Sequence, residues 1–337
     1  MTTEKVIIIG GGPTGIAASI YNARANLHPL VIAGSPAGGQ LMLTSHVENY
    51  PGFSSILGPE LMKKMREHAV QFDVRFIDEN VSHIDVTREP FQIFLRDGKT
   101  SYLSESILIA TGADALWLNL QSEQRLRGKG VSACATCDAF FFKNKIVGVV
   151  GGGDTAMEEA LTLTQCASKV YVIHRKSEFR ASKIMQRRVL EHPKIEVIWN
   201  TTIEEVLGEK KVEGVRLESK VNPAIAGQKL KVLVLDGLFV AIGHKPASDF
   251  LKGSGVMLDE KGYVMTSGMY ALKQVKSQLI KLINNNENFD FNYQYMTSVR
   301  GVFSAGDVID PYYRQAATAV GMGVAASLEI EKYISHK

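Results

Sequence analysis

The fold is decided by two similar stretches of sequence, VIIIGGGPTG at Val6–Gly15 and VGVVGGGDTA at Val147–Ala156. Each begins with a short apolar run fit for a buried parallel strand, and continues through a glycine turn into a helical stretch. The helices are predicted over 16–25 and 156–165. This order of strand, turn and helix is the fingerprint of dinucleotide-binding folds. Two copies predict an α/β protein with two Rossmann-like dinucleotide-binding domains.

Three small positions recur in each turn. The first permits the tight bend, the second lets the backbone approach a pyrophosphate, and the third allows the helix to pack closely on the strand. One such motif is weak evidence, because similar turns occur without any ligand; two copies in register are much stronger. The positions are Gly10, Gly12 and Gly15 in the first copy and Gly151, Gly153 and Ala156 in the second.

The next strand of each copy indicates which dinucleotide is bound. NAD-binding proteins carry an acidic residue at its end, but here the two strands end at Ala33 and His174. The second copy continues with Arg175 and Lys176, and Arg180 follows shortly after. Such a cationic cluster favours a 2′-phosphate, which predicts NADPH at the second site. The alternative is a solvated basic face with no ligand.

A third glycine-bearing segment, GVFSAGD at Gly301–Asp307, precedes an alanine- and glycine-rich helix predicted over 316–330. An acid at the tip of such a strand can accept a hydrogen bond from a ribityl hydroxyl, and the helix can present its N-terminus to a flavin. Asp307 is therefore a candidate cofactor ligand, and a plain helix N-cap is the alternative.

Two of the three cysteines, Cys134 and Cys137, have the spacing of a redox or metal motif, and three are too few for a disulfide scaffold. Asp138 follows directly and is the candidate acid/base for thiol–disulfide exchange. Zinc needs about four ligands, and only the remote Cys166 and scattered histidines are on offer, so no metal site is predicted. Cys166 is expected to pack in the core.

Composition limits the remaining possibilities. A length of 337 residues suits two domains, and 45% hydrophobic with 22% charged residues is typical of a globular protein. A net charge of +3 without a long basic run argues against nucleic acid as a partner. The sequence contains no apolar run long enough to span a bilayer and no signal-peptide core at its start, so a cytoplasmic protein is expected.

With these residues assembled, the chain from about residue 5 to 333 resembles the low-molecular-weight thioredoxin reductase family. Besides the two glycine turns, the resemblance is carried by short motifs: GGQL at 38–41, ENYPG at 48–52, ATG at 110–112, CATCD at 134–138, HRK at 174–176 with Arg180, AGDV at 305–308 and YRQA at 313–316.

The resemblance implies an FAD domain formed by residues 1–113 and 246–337, with an NADPH domain, 114–245, inserted between its two parts. FAD would contact Gly12, Thr14, Gln40, Asn49, Thr111, Asp307, Arg314, Gln315 and Ala316. NADPH would contact Gly153, Asp154, Thr155, His174, Arg175, Lys176 and Arg180.

The resemblance also implies the reaction. NADPH reduces the flavin, Cys137 lies against the flavin, and reduction frees Cys134 to attack the disulfide of thioredoxin while Asp138 supplies the proton. The family is usually a homodimer, and a homodimer is therefore expected.

The chain departs from the family pattern at three places. Lys176 stands where a second arginine is common, which keeps the charge but loses the planar fork. Ala139 replaces a frequent glycine and restricts the backbone beside the cysteine pair. Residues 268–296 form an apparent insertion, for which apolar spacing predicts a helix over 271–283 and then a mobile loop to Gln294.

Other functions on the same scaffold stay open. They include a dithiol oxidase, a reductase of another small redox protein, a ferredoxin-type reductase, and a non-enzymatic redox sensor that holds dinucleotides without turnover. The cysteine pair argues against a ferredoxin-type reductase, and the second glycine turn with its basic cluster argues against an oxidase. A peroxide-defence reductase with a fused thioredoxin-like domain is disfavoured, because the first strand begins near Lys5.

Overall fold

The computed structural model describes residues 2–44, 46–219, 231–276 and 288–337. The chain divides into two compact units: unit 1 comprises Met1–Asp114 with Lys245–Lys337, and unit 2 comprises Ala115–His244. Unit 2 is therefore inserted in the sequence of unit 1.

The described strands, in chain order, are β1 (Thr3–Ile9), β2 (Leu30–Ile32), β3 (His46–Val47), β4 (Ile56–Leu57), β5 (Arg75–Ile77), β6 (Val81–Asp85), β7 (Phe91–Leu95), β8 (Ser101–Ile109), β9 (Ala113–Ala115), β10 (Val131–Ser132), β11 (Ile146–Val150), β12 (Lys169–Ile173), β13 (Ile195–Ile198), β14 (Thr201–Leu207), β15 (Gly214–Ser219), β16 (Lys231–Val234), β17 (Gly237–Val240), β18 (His244–Pro246) and β19 (Val302–Ser304). The α-helices are α1 (Pro13–Arg24), α2 (Gly58–Val70), α3 (Gln121–Leu126), α4 (Ala135–Asp138), α5 (Asp154–Thr164), α6 (Lys183–Leu190), α7 (Ser267–Lys276) and α8 (Ala316–Ser335).

Unit 1 is built on a sheet in the order β5-β2-β1-β8-β7-β6, in which β19 also pairs with β8. The strands β5, β2, β1, β8 and β19 run parallel, and β6, β7 and β8 pair antiparallel. Strand β1 is buried on both faces: Ile8 belongs to the core that includes Ile16 of α1 and Ile330 of α8, whereas Ile7 belongs to the core on the other face. Burial on both faces explains why this strand is a continuous apolar run rather than an alternating one.

Unit 2 contains a second parallel sheet, in the order β10-β17-β11-β12-β13, and an antiparallel sheet, β14-β15-β16. Helix α5 packs on the parallel sheet through Ala156, Met157 and Ala160, which share one core with Val149 and Phe239. The prediction of an α/β fold with two parallel-sheet nucleotide domains is confirmed.

The predicted helix in the 268–296 segment begins earlier than expected, since α7 starts at Ser267 rather than near residue 271. Residues 277–287 of the predicted helix and loop lie outside the described residues. Leu272 and Val275, two of the apolar residues whose spacing predicted this helix, are exposed. In the same helix, Tyr270 stacks on Phe289, with ring centroids 4.6 Å apart, and Lys273 pairs with Glu260.

In the described residues, no helix is both long enough and apolar enough to span a membrane.

Candidate active site

The first glycine turn leaves a helix N-terminus facing open space. Helix α1 begins at Pro13 directly after Gly12, which provides no side-chain cap. A Cβ added at Gly12 would meet no atom within 4 Å, whereas a Cβ at Gly15 would overlap the carbonyl oxygen of Gly10. The turn can therefore receive an anion over α1, and Gly15 lets the helix sit against the strand.

Gly10 shows why the first position of the turn requires glycine. Its φ is +123°, and a Cβ there would overlap the carbonyl oxygen of Ala110 at the end of β8. Its N–H donates to the carbonyl of Ile32 at 2.8 Å, which ties the turn to β2. Both the backbone geometry and the close approach thus exclude a side chain.

Asp307, three residues after the end of β19, has a carboxyl oxygen with no hydrogen-bond partner among the described residues. Its Oδ1 is sealed from solvent and accepts no hydrogen bond from the described residues. Burial raises the pKa of this carboxyl to about 7, with a further rise from the nearby Asp310 that Arg314 opposes. A buried acceptor without a donor is costly. The position therefore fits a bound group that offers a hydroxyl.

Other side chains predicted to contact FAD are placed by hydrogen bonds within unit 1. Asn49 donates from Nδ2 to Oε1 of Gln315 at 3.1 Å, and Gln40 donates from Nε2 to Oδ1 of Asp114 at 2.5 Å. The Thr111 hydroxyl donates to the carbonyl of Ala247 at 2.7 Å. The structure thus brings Asn49 and Gln315 together, and holds Gln40 and Thr111 through other partners.

Arg314, Gln315 and Ala316 lie at the start of α8. Arg314 has a φ of +49°, and its backbone N–H donates to Oδ2 of Asp310 at 3.0 Å. Gln315 is the N-cap of α8 and forms a capping box with Thr318. Arg314 and Gln315 therefore sit on a backbone that is fixed at the helix entry. Thr14, in the first turn of α1, is buried, and its Oγ1 would collide with a Cβ at Gly306.

The second glycine turn, in unit 2, repeats the first. Helix α5 begins at Asp154 after Gly153, and a Cβ at Gly153 would meet no atom within 4 Å. A Cβ at Gly151 would overlap the carbonyl oxygen of Ala241. Thr155 lies in the first turn of this helix and is half-buried. The open space again lies over a helix N-terminus, as an anion site requires.

The basic cluster is tied to this second turn through its backbone. The N–H groups of Arg180 and Ala181 donate to the carbonyl of Gly152 at 2.7 and 3.2 Å. Oδ1 of Asp154 accepts from the N–H of Ser182 at 2.9 Å. The loop that follows β12 is thereby folded back onto the glycine turn.

His174 differs from its three cationic neighbours. Arg175, Lys176 and Arg180 are exposed, but His174 is buried and its ring lies where a Cβ on Gly152 would be. Burial lowers the pKa of the His174 imidazole, and a ring nitrogen lies 2.9 Å from the carbonyl oxygen of Glu178. His174 is thus placed as a neutral support beneath the turn, and its predicted contact with NADPH stays a prediction.

Cys134 and Cys137 form a disulfide in unit 2, at the start of α4. The N–H of Cys137 donates to Sγ of Cys134 at 3.2 Å, and the N–H of Cys134 donates to Oγ of Ser132 at 3.1 Å. Burial raises the pKa of the Asp138 carboxyl, and a hydrogen bond from Ser132 lowers it in part. The raised pKa favours the protonated acid, which is the form that can give a proton to a thiolate.

Two features beside the disulfide were not found by sequence reasoning. Phe140 and Phe141, shortly after Cys137 in the sequence, are 67% and 38% exposed, whereas phenylalanine is usually buried. Glu159 of α5 accepts the N–H of Ala135 through Oε2 at 2.5 Å. The triple phenylalanine after Ala139 was a visible signal for the first feature, but the pairing of Glu159 with Ala135 joins two elements and has no local pattern.

No cluster of three or more histidine, cysteine, aspartate or glutamate side chains that could hold a metal occurs in the described parts of the chain.

Comparison with known proteins shows which family the chain belongs to. Residues 4–271 match the family described as pyridine nucleotide-disulphide oxidoreductase. Thioredoxin reductase of Rickettsia felis is 44% identical, with 99% of each chain covered, and that of Escherichia coli O157:H7 is 42% identical, with 98% of this chain and 96% of the relative covered. The solved structure of thioredoxin reductase from Giardia duodenalis has a TM-score of 0.87 at 37% identity, covering 99% of this chain and 100% of its own. The chain therefore belongs to the pyridine nucleotide-disulphide oxidoreductases and, among them, to the thioredoxin reductase family.

Proposed function

We propose that this chain reduces the disulfide of thioredoxin with electrons from NADPH, which pass through FAD and the Cys134–Cys137 pair. The observation that carries the proposal is the redox pair itself: a disulfide between cysteines three residues apart, in the unit that holds the second dinucleotide turn. Relatives of this chain along nearly its full length are named thioredoxin reductase.

The residues present fit both cofactors. For FAD, unit 1 offers the open N-terminus of α1 at Gly12 for the pyrophosphate, and the unpartnered Oδ1 of Asp307 for a ribityl hydroxyl. For NADPH, unit 2 offers the open N-terminus of α5 at Gly153. The exposed Arg175, Lys176 and Arg180 would meet the 2′-phosphate. Bound FAD would supply the two-electron carrier between NADPH and the disulfide.

The chain's own chemistry is thiol–disulfide exchange. The Cys134 thiolate attacks one sulfur of the thioredoxin disulfide, forming a mixed disulfide and releasing a thiolate on thioredoxin. The Cys137 thiolate then attacks Sγ of Cys134, restoring the internal disulfide and releasing the second thioredoxin thiolate. Two electrons are transferred overall, and thioredoxin takes up two protons.

Asp138 would hold and deliver one of these protons. Because burial raises the pKa of its carboxyl, the group keeps its proton closer to neutral pH than an exposed aspartate would. It lies directly after Cys137, so it can protonate a departing thiolate and take the proton back when the pair is reduced.

Phe140 and Phe141, which follow Cys137 by three and four residues, supply an exposed apolar surface, which fits a protein substrate better than a small thiol. Aromatic side chains are enriched in protein interfaces because they contribute a large contact area with little loss of conformational entropy. We therefore place thioredoxin docking at this surface of unit 2.

The decisive assay is NADPH oxidation by the purified yellow holoenzyme with thioredoxin as acceptor. Thioredoxin-dependent NADPH oxidation that stops when thioredoxin is omitted supports the proposal. NADPH oxidation that consumes oxygen at the same rate without thioredoxin would instead indicate a dithiol oxidase. Flavin that NADPH reduces, but that no disulfide protein reoxidises, would indicate a sensor.

A homodimer and a cytoplasmic location remain predictions. Sedimentation of the holoenzyme and fractionation of the cell would test them.

A further inference from the structure

Helix α5 carries two adjacent glutamates with different environments. Glu158 is exposed, whereas Glu159 is half-buried and accepts the backbone N–H of Ala135 at 2.5 Å. Ala135 is the first residue of α4, and Ala135 and Thr136 are the two residues between the cysteines. A carboxylate of α5 is therefore in direct contact with the backbone between the redox cysteines.

The backbone N–H groups around the pair have different kinds of acceptor. Those of Cys134, Cys137 and Asp138 donate to Oγ of Ser132, to Sγ of Cys134 and to the carbonyl of Cys134, all within the same short segment. The N–H of Ala135 donates to Glu159, which lies more than twenty residues further along the chain. Among these four bonds, the bond to Glu159 is the one that joins the segment to a residue distant in the sequence.

Packing supports this attachment. Ala135 is fully buried in the same core as Ala156 and Ala160 of α5, and these small side chains let the two helices approach closely. Glu159 lies between Ala156 and Ala160 in the sequence, so the helical period places it beside that contact. The same helix begins at Gly153, the turn proposed to hold NADPH.

We propose that Glu159 is a positioning residue for the Cys134–Cys137 pair: its carboxylate holds the N–H of Ala135 and so fixes the turn in which the two sulfurs exchange electrons with thioredoxin. The inference deepens the proposed function and rests on it, because it concerns the same pair. It adds a role for an acidic side chain of α5 that lies outside the CATCD motif.

The charge of Glu159 has a second consequence after reduction. Covalent geometry keeps Sγ of Cys134 within about 5 Å of the Ala135 nitrogen, so the carboxylate oxygen that accepts the Ala135 N–H lies no more than about 8 Å from a Cys134 thiolate. A like charge at that distance disfavours the thiolate and raises the pKa of the thiol. Of the elements with extensive contacts to α4, α5 carries the titratable side chains Asp154, Glu158 and Glu159, and the turn at 139–142 carries none. Asp138 lies on α4 itself.

Thiol titration tests the charge. In the Cys137→Ser holoenzyme reduced with dithiothreitol, the rate of iodoacetamide alkylation of Cys134 is followed against pH by mass spectrometry of the peptide that carries Cys134. Glu159→Gln keeps an acceptor oxygen but removes the charge, so the pH at which the alkylation rate is half-maximal should fall by about half to one unit. The exposed neighbour Glu158→Gln is the matched control and should move it by less than about 0.2 units. If the pH midpoint does not change with Glu159→Gln, or changes equally with both variants, the inference that Glu159 lies close to the Cys134 thiolate is overturned.

Turnover tests the positioning. In the otherwise unchanged holoenzyme, Glu159→Ala removes the acceptor and should lower kcat with thioredoxin about tenfold, while Glu159→Gln restores most of it. NADPH-driven reduction of ferricyanide, which bypasses the cysteines, should be unchanged in both variants. Full thioredoxin turnover in Glu159→Ala overturns the positioning role. If the unaltered protein reduces no thioredoxin, the proposed function fails, but the alkylation midpoints still decide whether Glu159 acts on the pair.

Discussion

Replacing Asp307 with asparagine should stabilise the flavin-free protein and weaken its hold on FAD. Burial, with a contribution from Asp310, raises the pKa of the Asp307 carboxyl from 3.8 to about 7. At pH 8 the flavin-free fold must ionise a group that resists ionisation. This rise in the pKa of Asp307 lowers the free energy of unfolding by at most about 4 kcal/mol. Asparagine resembles the protonated acid and avoids this cost.

The sign of the pH dependence follows from proton binding. Between about pH 4 and pH 7 the folded protein holds a proton on Asp307 that the unfolded chain has released, so the stability of the flavin-free protein falls as pH rises through that window. The advantage of Asp307→Asn should therefore be small at pH 4, grow up to about pH 7 and stay constant above it.

Urea unfolding of both flavin-free proteins at several pH values measures this difference, and exposed Glu79→Gln in the same unit is the control. In the holoenzyme, Asp307→Asn should instead weaken FAD binding, because a carboxylate that accepts a hydrogen bond from a ribityl hydroxyl contributes about 1.5–3 kcal/mol. FAD should then bind Asp307→Asn roughly 10- to 150-fold more weakly. A stability difference that does not depend on pH would refute the burial argument, and unchanged FAD affinity would refute the assignment to FAD.

Three further predictions concern the redox pair, the basic cluster and the inserted segment. Cys134→Ser and Cys137→Ser should each keep FAD and NADPH-driven flavin reduction but lose thioredoxin turnover, and near-normal turnover in either variant would contradict the disulfide mechanism. Neutral residues at Arg175 and Arg180 remove contacts worth about 1.5–3 kcal/mol each, so the KM for NADPH should rise at least tenfold while that for NADH barely moves; an equal rise is the contrary result. Deleting residues 268–295 and bridging the gap with a short turn should cost stability but spare FAD binding and thioredoxin turnover; a changed KM for thioredoxin or a changed oligomeric state would show that the segment docks a partner.

The sequence predicted the nucleotide-binding architecture well because its signals are local. An apolar run, a glycine turn and a helical stretch lie within about twenty residues, and the helices that follow the turns, Pro13–Arg24 and Asp154–Thr164, differ from the predicted ones mainly at their first residues. The helix predicted to begin at Ala316 begins there. After both glycine turns, the helix begins two or three residues before the predicted position. Pro13 and Asp154 are favourable first helical residues, but the spacing of apolar residues does not reveal them.

Features that depend on two distant segments were not predictable in the same way. The exposure of Leu272 and Val275 could not be read from their helical spacing, because spacing shows which residues share a face but not what covers it. The burial of His174 under Gly152 and the bond from Ala135 to Glu159 each join parts of the chain that only the fold brings together. Periodicity cannot encode such pairs.

The basic cluster after β12 is attached to the second glycine turn by a backbone hydrogen bond, which bears on its function. From the sequence, Arg175, Lys176 and Arg180 could be a solvated face, which is the common meaning of neighbouring charges. In the structure, the N–H of Arg180 donates to the carbonyl of Gly152 in the glycine turn itself. A solvated face needs no such attachment, whereas a site for a dinucleotide needs its phosphate-binding residues held in fixed register with the turn. The backbone contact therefore favours NADPH binding over a surface role, and it does so without reference to the charges.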